Sequence, residues 1–437
     1  MATGTVHGMT ATRRRFGVMG LLFVTVLVNY LDRTNISIAA PRMRDDFHLT
    51  PHMMGWIFSS WGWAYAVCQI AGGWLADKVR PRLLAAVLIF TWSCATLCLG
   101  LTTSFAALIV LRFLVGALEA PSYPINSRVV TTWFPEREKG AAVGIFGSAQ
   151  FVGIAFLNPL LTWMLVRFGW QSVFLFTGML GMAWAVAWFL LYREPRDAPR
   201  INQAELDLIR NGGGIPDLSE QLERVDGDRL GFRWRHLGFL LSRRKLWGLY
   251  LGQIGLGGTT MFFLTWFPTY LVDYRGMSFI NAGFAASVPF LCGFVGVLCG
   301  GFFSDFLLRR GFSIGVARKT PIVGGMILST TIIGANFVED SRLVILFMAI
   351  AFFGTGFASI VWSLVSALAP KRLLGLTGGV FNTAGGIAGI LVPLCIGYLA
   401  DGKNFAPALV FVTCLTVMGA LSYGLLTGKI ERIAYDG

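Results

Sequence analysis

"GGWLADKVRPR" (residues 72–82) has a counterpart far along the chain, "GGFFSDFLLRR" (300–310). Gly73 and Asp77 match Gly301 and Asp305 at a spacing of 228 residues. A second pair is sharper. "PEREKGAAVGIF" (135–146) and "PKRLLGLTGGVF" (370–381) share Pro, Arg, Gly, Gly and Phe in register at a spacing of 235 residues. Each pair falls at corresponding places in two halves of the chain. The spacing therefore implies one unit used twice in the same orientation.

Apolar blocks surround these motifs. Of 437 residues, 55% are hydrophobic and 14% charged, against about 25% charged in an ordinary soluble domain. A helix needs roughly 20 apolar residues to cross a bilayer. Twelve such blocks can be read: 16–40, 53–77, 83–103, 106–132, 139–166, 171–192, 245–272, 281–305, 317–337, 342–368, 374–400 and 405–427. The fold class expected is an all-α polytopic membrane protein, with twelve transmembrane helices in two pseudo-symmetric six-helix bundles. Residues 1–192 form the first bundle and 245–437 the second. Residues 193–244 form a cytoplasmic linker, in which "INQAELDLIRNGGG" (201–214) reads as a short amphipathic helix stopped by glycine. "RRRFGVMGLLF" (13–23) begins like a signal peptide, but its apolar run is too long, so it reads as a retained first helix.

The net charge of +13 does not point to nucleic acid. Lys and Arg lie in loops, 27 on one side of the alternating spans and 6 on the other. Positive charge marks the cytoplasmic side, which places both termini in the cytoplasm of a bacterial inner-membrane protein. The seven cysteines lie inside apolar blocks without metal spacing and read as packing residues. No span contains His, and no nucleophile–base constellation is visible. These absences argue against a membrane enzyme and imply no metal and no cofactor.

Five formal charges sit well inside the spans: Asp32, Arg33, Arg112, Glu119 and Arg128, all in the first half. Buried ionisable groups are costly in lipid and mark ion or substrate paths. Asp32 lies eight residues from the outer end of its span, about 12 Å along a helix. Glu119 lies roughly 20 Å into a span that runs inward. A carboxylate held away from water can carry a proton in one state and a charge in another, so both read as proton carriers. Arg112 is seven residues before Glu119, two turns along one helical face, and suits a relay with it. Arg33 points about 100° around the helix from Asp32 and can enter a central cavity, where guanidinium binds carboxylate bidentately. Asp77, Asp305, Arg128 and Arg137, near the cytoplasmic ends of the spans, read as gate residues.

"GGWLADKVRPR" resembles the loop motif between the second and third helices of the major facilitator superfamily, with Arg80-Pro81 where Gly-Arg is usual. "RFLVGALEAP" (112–121) is similar to its fourth-helix motif. "NYLDRTNIS", "GALEAPSYPINSRVVTTWFP", "FFLTWFPTYL" and "FGTGFASIVWSLVSALAP" together resemble the anion:cation symporter family, most nearly its bacterial D-galactonate:proton symporters. The resemblance implies a substrate carboxylate on Arg33. It also implies a sugar site lined by Tyr30, Tyr65, Gln150, Ser359, Trp362 and Asn382. Gln150 aligns with Gly385 in the second repeat and Asn382 with Gly147, so the polar member alternates between halves. Val361 departs from the hydroxyl residue usual in galactonate carriers. The function expected is proton-coupled import of a sugar-acid anion by alternating access, D-galactonate first, with glucarate, hexuronate or another organic anion as alternatives. The partners expected are that anion, protons and the lipid bilayer, with no nucleic acid, and the protein working as a monomer. "WGWAY" (61–65) reads mostly as packing.

Overall fold

The computed structural model describes residues 11–216, 234–370, 373–400 and 404–435, apart from the side chains of Ile70 and Asp77. The described residues are helical with short connections and contain no strand. The first half comprises α1 (Arg14–Phe47), α2 (Pro51–Lys78), α3 (Pro81–Leu101), α4 (Phe105–Glu119), α5 (Ser122–Trp133), α6 (Glu136–Phe168) and α7 (Trp170–Leu191). Two short helices follow, α8 (Gln203–Asn211) and α9 (Trp234–Ser242). The second half comprises α10 (Arg244–Thr265), α11 (Phe279–Arg309), α12 (Ile314–Ser329), α13 (Ser341–Phe357), α14 (Trp362–Leu368), α15 (Leu374–Leu399) and α16 (Ala406–Leu421).

Ten segments are long and apolar enough to cross a membrane. In two of them a pair of helices, α4 with α5 and α13 with α14, forms one crossing. α2 and α10 are 28 and 22 residues long but less apolar. Both line the central cavity, and that position explains their polar content. The fourth crossing is broken at Ala120-Pro121. Proline cannot donate the backbone hydrogen bond a helix interior requires. The tenth is broken by a 3-10 turn at Ala358–Val361. Both breaks fall beside the cavity.

The start of α1, the C-terminal segment up to residue 435 and the two short helices share one end of the bundle, the terminal face. At the opposite, far face the halves touch. α2 meets α15 backbone to backbone: a Cβ on Gly62 would lie 2.6 Å from the Gly389 carbonyl oxygen, and one on Gly55 2.8 Å from that of Pro393. α6 meets α11 at Gly283 and Thr162. Phe58 packs edge-on against Trp266 at 5.3 Å, and Arg44 forms an ion pair with Asp273 across the halves. Toward the terminal face, Cβ atoms at Gly73, Gly140, Gly144, Gly301, Gly375 and Gly379 would meet nothing within 4 Å. The halves are therefore closed at the far face and parted at the terminal face.

The segments between and after the halves are divided. α8 begins at Asn202, whose side chain caps the Glu205 amide, and it docks on the first half. There Gly212 accepts from the Glu136 amide at 2.8 Å. Glu205 is wholly buried, and Arg15 reaches it at 3.0 Å and Glu138 at 2.7 Å. α9, absent from the expectation of a single linker helix, instead carries Phe239 and His236 under Tyr435 of the C-terminal segment. That segment is tied to α14 by the Ile433 amide on the Leu368 carbonyl at 2.9 Å. Arg15→Ala would leave Glu205 buried without its cation. The expected cost is about 3 kcal/mol, read as a lower melting temperature of the detergent-purified protein. An unchanged melting temperature would show that this cluster does not hold the terminal face together.

Candidate functional site

α1 is the helix on which the site is built. Thr25, Asn29, Tyr30, Asp32, Arg33 and Asn35 lie along its buried length. Such a polar helix is stable in the bundle only because neighbouring helices supply partners. Glycines let them come close. In the Arg-x-x-x-Gly run of α4, a Cβ on Gly116 would collide with the Trp61 carbonyl oxygen of α2. That contact brings the Trp61 indole to the end of α4, where its N–H donates to Glu119 Oε2 at 2.9 Å.

Arg33 is the centre of the arrangement. Its Nε donates to Glu119 Oε2 at 3.3 Å, and both side chains are buried. The guanidinium lies over three rings: Trp61 at 4.4 Å, Tyr30 at 4.7 Å and Tyr65 at 5.0 Å. Nη2 of Arg33 has no hydrogen-bond partner, nor has Oε1 of Glu119. The sequence pairs Glu119 with Arg112, but the structure pairs it with Arg33. Arg112 Nη1 donates instead to the Asp32 main-chain carbonyl at 2.9 Å. Asp32 turns the other way, accepting from Trp92 Nε1 at 3.0 Å and from Asn35 Nδ2 at 3.4 Å. The adjacent charges of "YLDRTN" thus face two different environments.

A cavity of about 610 Å³ lies between the halves. Tyr30, Arg33, Tyr65, Gln150, Ser359, Trp362 and Asn382 all line it. Asp32, Glu119 and Arg112 do not; Glu119 touches it only through Arg33 and Trp61. Arg33 is the only formally charged residue among the described lining residues. The second half presents neutral groups: Gln253, Thr260, Thr355, Ser359 and Asn382. Trp362 is 47% exposed, with its ring edge-on to Phe381 at 5.0 Å. Such a ring offers an apolar face for the C–H side of a polyol. Val361, read as a departure from the galactonate carriers, places a methyl-bearing wall beside Ser359 and Trp362.

Of the lining residues not singled out from the sequence, three bear most on the site. Trp61 is part of the site, which corrects the packing role read for "WGWAY"; its indole bonds a buried carboxylate. Tyr123 lies two residues beyond Pro121, and it lines the cavity. Gln253 occupies the space left by Gly385, where a Cβ would lie 3.1 Å from its Nε2. The available signal was the single amide side chain in "YLGQIGLGG" (250–258).

Of the four gate residues, Arg128 packs on the end of α2, the helix that carries Asp77. Arg128 Nη1 bonds the Ala76 carbonyl and, at 3.0 Å, the Val79 carbonyl, so it holds the last turn of α2. Glu194 lies nearby; burial raises its carboxyl, while the Tyr192 hydroxyl and the Arg128 charge draw it down. Arg137 and Asp305 are exposed and form no ion pair among the described residues. The parting of the halves at this face accounts for that. Asp77 lies outside the described side chains.

The family model described as Major Facilitator Superfamily matches residues 22–393. The chain is 49% identical to the D-galactonate transporter of Escherichia coli O6:H1, over 98% of this chain and 99% of that one. It is 43% identical to the probable galactarate/D-glucarate transporter GudP of Bacillus subtilis, over 97% and 94%. Among solved structures it resembles an inward-facing, unoccupied bacterial homolog of the human lysosomal transporter Spinster (TM-score 0.71, 18% identity, 95% and 98% covered). It also resembles the inward-open xylose transporter XylE of Escherichia coli (TM-score 0.66, 14% identity, 94% and 96% covered). At these identities the structural likeness concerns the fold alone.

Proposed function

Because the chain belongs to the Major Facilitator Superfamily, we propose that it imports a sugar-acid monoanion, D-galactonate first, together with protons across the bacterial inner membrane. It is a multi-pass membrane transporter and not an enzyme. The observation that carries the substrate reading is the solitary cation on the cavity wall. One guanidinium on that wall suits one carboxylate. The neutral amides and hydroxyls of the second half suit sugar hydroxyls, which need donors and acceptors alike. A dicarboxylate such as galactarate would press its second charge against that neutral wall. The 49% identity to a D-galactonate transporter supports the same choice.

In this reading Glu119 and the substrate carboxylate compete for Arg33. A proton on Glu119 releases the guanidinium, and the anion takes it. Asp32 carries the second proton. A monoanion entering a negative interior costs about 2.3 kcal/mol per 100 mV. One proton cancels that cost, and two make entry favourable. The bias of Lys and Arg supports a cytoplasmic terminal face. The far-face contacts of α2 with α15 and α6 with α11 then form the outer closure, and rocking of the halves opens it. Proteoliposome uptake under an inward proton gradient tests the substrate class. D-galactonate should compete for the carrier at least about tenfold better than galactarate or D-glucarate, the 1.4 kcal/mol of one good polar contact. Equal or better competition by the dicarboxylates would overturn the monoanion assignment.

A further inference from the structure

We propose that Trp92, Asn35 and Thr177 are positioning residues that set the proton occupancy of Asp32, inside a chamber separate from the substrate cavity. The proposal rests on the reading above, in which Asp32 carries a proton. Asp32 is wholly buried and lies off the cavity wall. Its carboxylate faces α3 and α7. Trp92 Nε1 of α3 holds Oδ2 at 3.0 Å, and Asn35 Nδ2 holds Oδ1 at 3.4 Å. The same Asn35 amide donates to Thr177 Oγ1 of α7 at 3.1 Å.

The chamber walls are tight. A Cβ on Gly178 would lie 2.9 Å from the Ser93 carbonyl oxygen, and one on Gly181 would overlap the Ser93 hydroxyl. Yet the interior is polar. Asn35 Oδ1, Ser93 Oγ and Thr96 Oγ1 are all buried with no partner. Polar atoms of this kind can serve a carboxylate that alternates between neutral and charged.

The charged groups around Asp32 are few. Arg112 and Glu119 approach from α4, and Arg33 is the sequence neighbour. Tyr65 of α2 and Tyr123 of α5 lie on the Arg33 side. α6 brings a carboxylate to α1 only at Glu138, beside Arg15. The residues of α3 and α7 at this level are neutral: Trp92, Ser93, Thr96 and Thr177. An indole N–H donates and cannot accept, so Trp92 bonds the charged carboxylate better than the protonated one. Removing that donor shifts the balance toward the protonated form without touching the substrate.

The test is D-galactonate uptake by the full-length protein in proteoliposomes as a function of external pH. Counterflow at equal pH on both sides reports folding and substrate binding. Trp92→Phe should move the midpoint of the uptake profile upward by about one pH unit, with counterflow and its KM within twofold of the parent. Thr177→Val should move it the same way by less, and Thr177→Ser should restore the parent midpoint. Trp92→Phe with intact counterflow and an unmoved midpoint would overturn the proposal. If Trp92→Phe loses counterflow, the Thr177 pair decides: equal midpoints for Val and Ser overturn it, and separated midpoints support it. Asp32→Asn distinguishes the layers. Parent-like pH-driven uptake in that variant removes the underlying role of Asp32, whereas its loss beside an unmoved Trp92→Phe midpoint removes only the positioning role.

Discussion

Arg33→Lys is expected to raise the KM for the transported anion by about a hundredfold, with the protein still folded and inserted. Lysine keeps the charge but loses the planar fork that meets a carboxylate bidentately. It also loses the stacking that seats the guanidinium over Trp61, Tyr30 and Tyr65. Losing a desolvated, hydrogen-bonded charge contact costs 2–5 kcal/mol, and each 1.4 kcal/mol is tenfold in affinity. Counterflow at saturating and limiting anion concentrations separates KM from the maximal rate. A KM within threefold of the parent would mean the carboxylate sits elsewhere.

Gly62→Leu is expected to reduce uptake to background for a different reason. No side chain fits where α2 and α15 touch: even a Cβ would lie 2.6 Å from the Gly389 carbonyl oxygen. That is backbone, which cannot rotate out of the way as a side-chain end does. The substitution therefore destabilises the state closed at the far face and leaves each half intact internally. A carrier confined to one side of its cycle transports nothing, whatever its affinity. Accessibility of a single cysteine placed at Ser60, beside this contact, should rise when Gly62 is Leu. Parent-like uptake would show that the halves do not close here during transport.

The sequence carried the architecture well because its signals are long and repeated. Twenty-residue apolar blocks and two motif pairs in register survive local irregularity. The buried charges were also legible, since each is an exception to the composition around it. Pairing was not legible. Arg112 and Glu119 share a helical face in sequence, but the break at Ala120-Pro121 ends α4 at Glu119, and the carboxylate turns to Arg33. Trp61 looked like packing because Trp is common in membrane helices. Its role depends on Gly116 letting α4 close on α2, a contact between residues 55 positions apart. Gln253 was hidden for a similar reason: its place is defined by the absence of a side chain at Gly385. The second linker helix, α9, was missed because its hydrophobic face is covered by the C-terminal segment, distant in sequence.

Coupling turns on one exchange, in which a proton on Glu119 frees Arg33 for the substrate. Glu119→Gln is a permanent mimic of the protonated state. In proteoliposomes, D-galactonate counterflow by this variant should continue at a rate within about threefold of the parent, because Arg33 is free to bind. Accumulation driven by a pH gradient should fall well below the parent's, because this residue no longer takes up or releases a proton and only Asp32 still carries one. Parent-like accumulation by Glu119→Gln would contradict the exchange, and with it the coupling of proton and anion at this arginine.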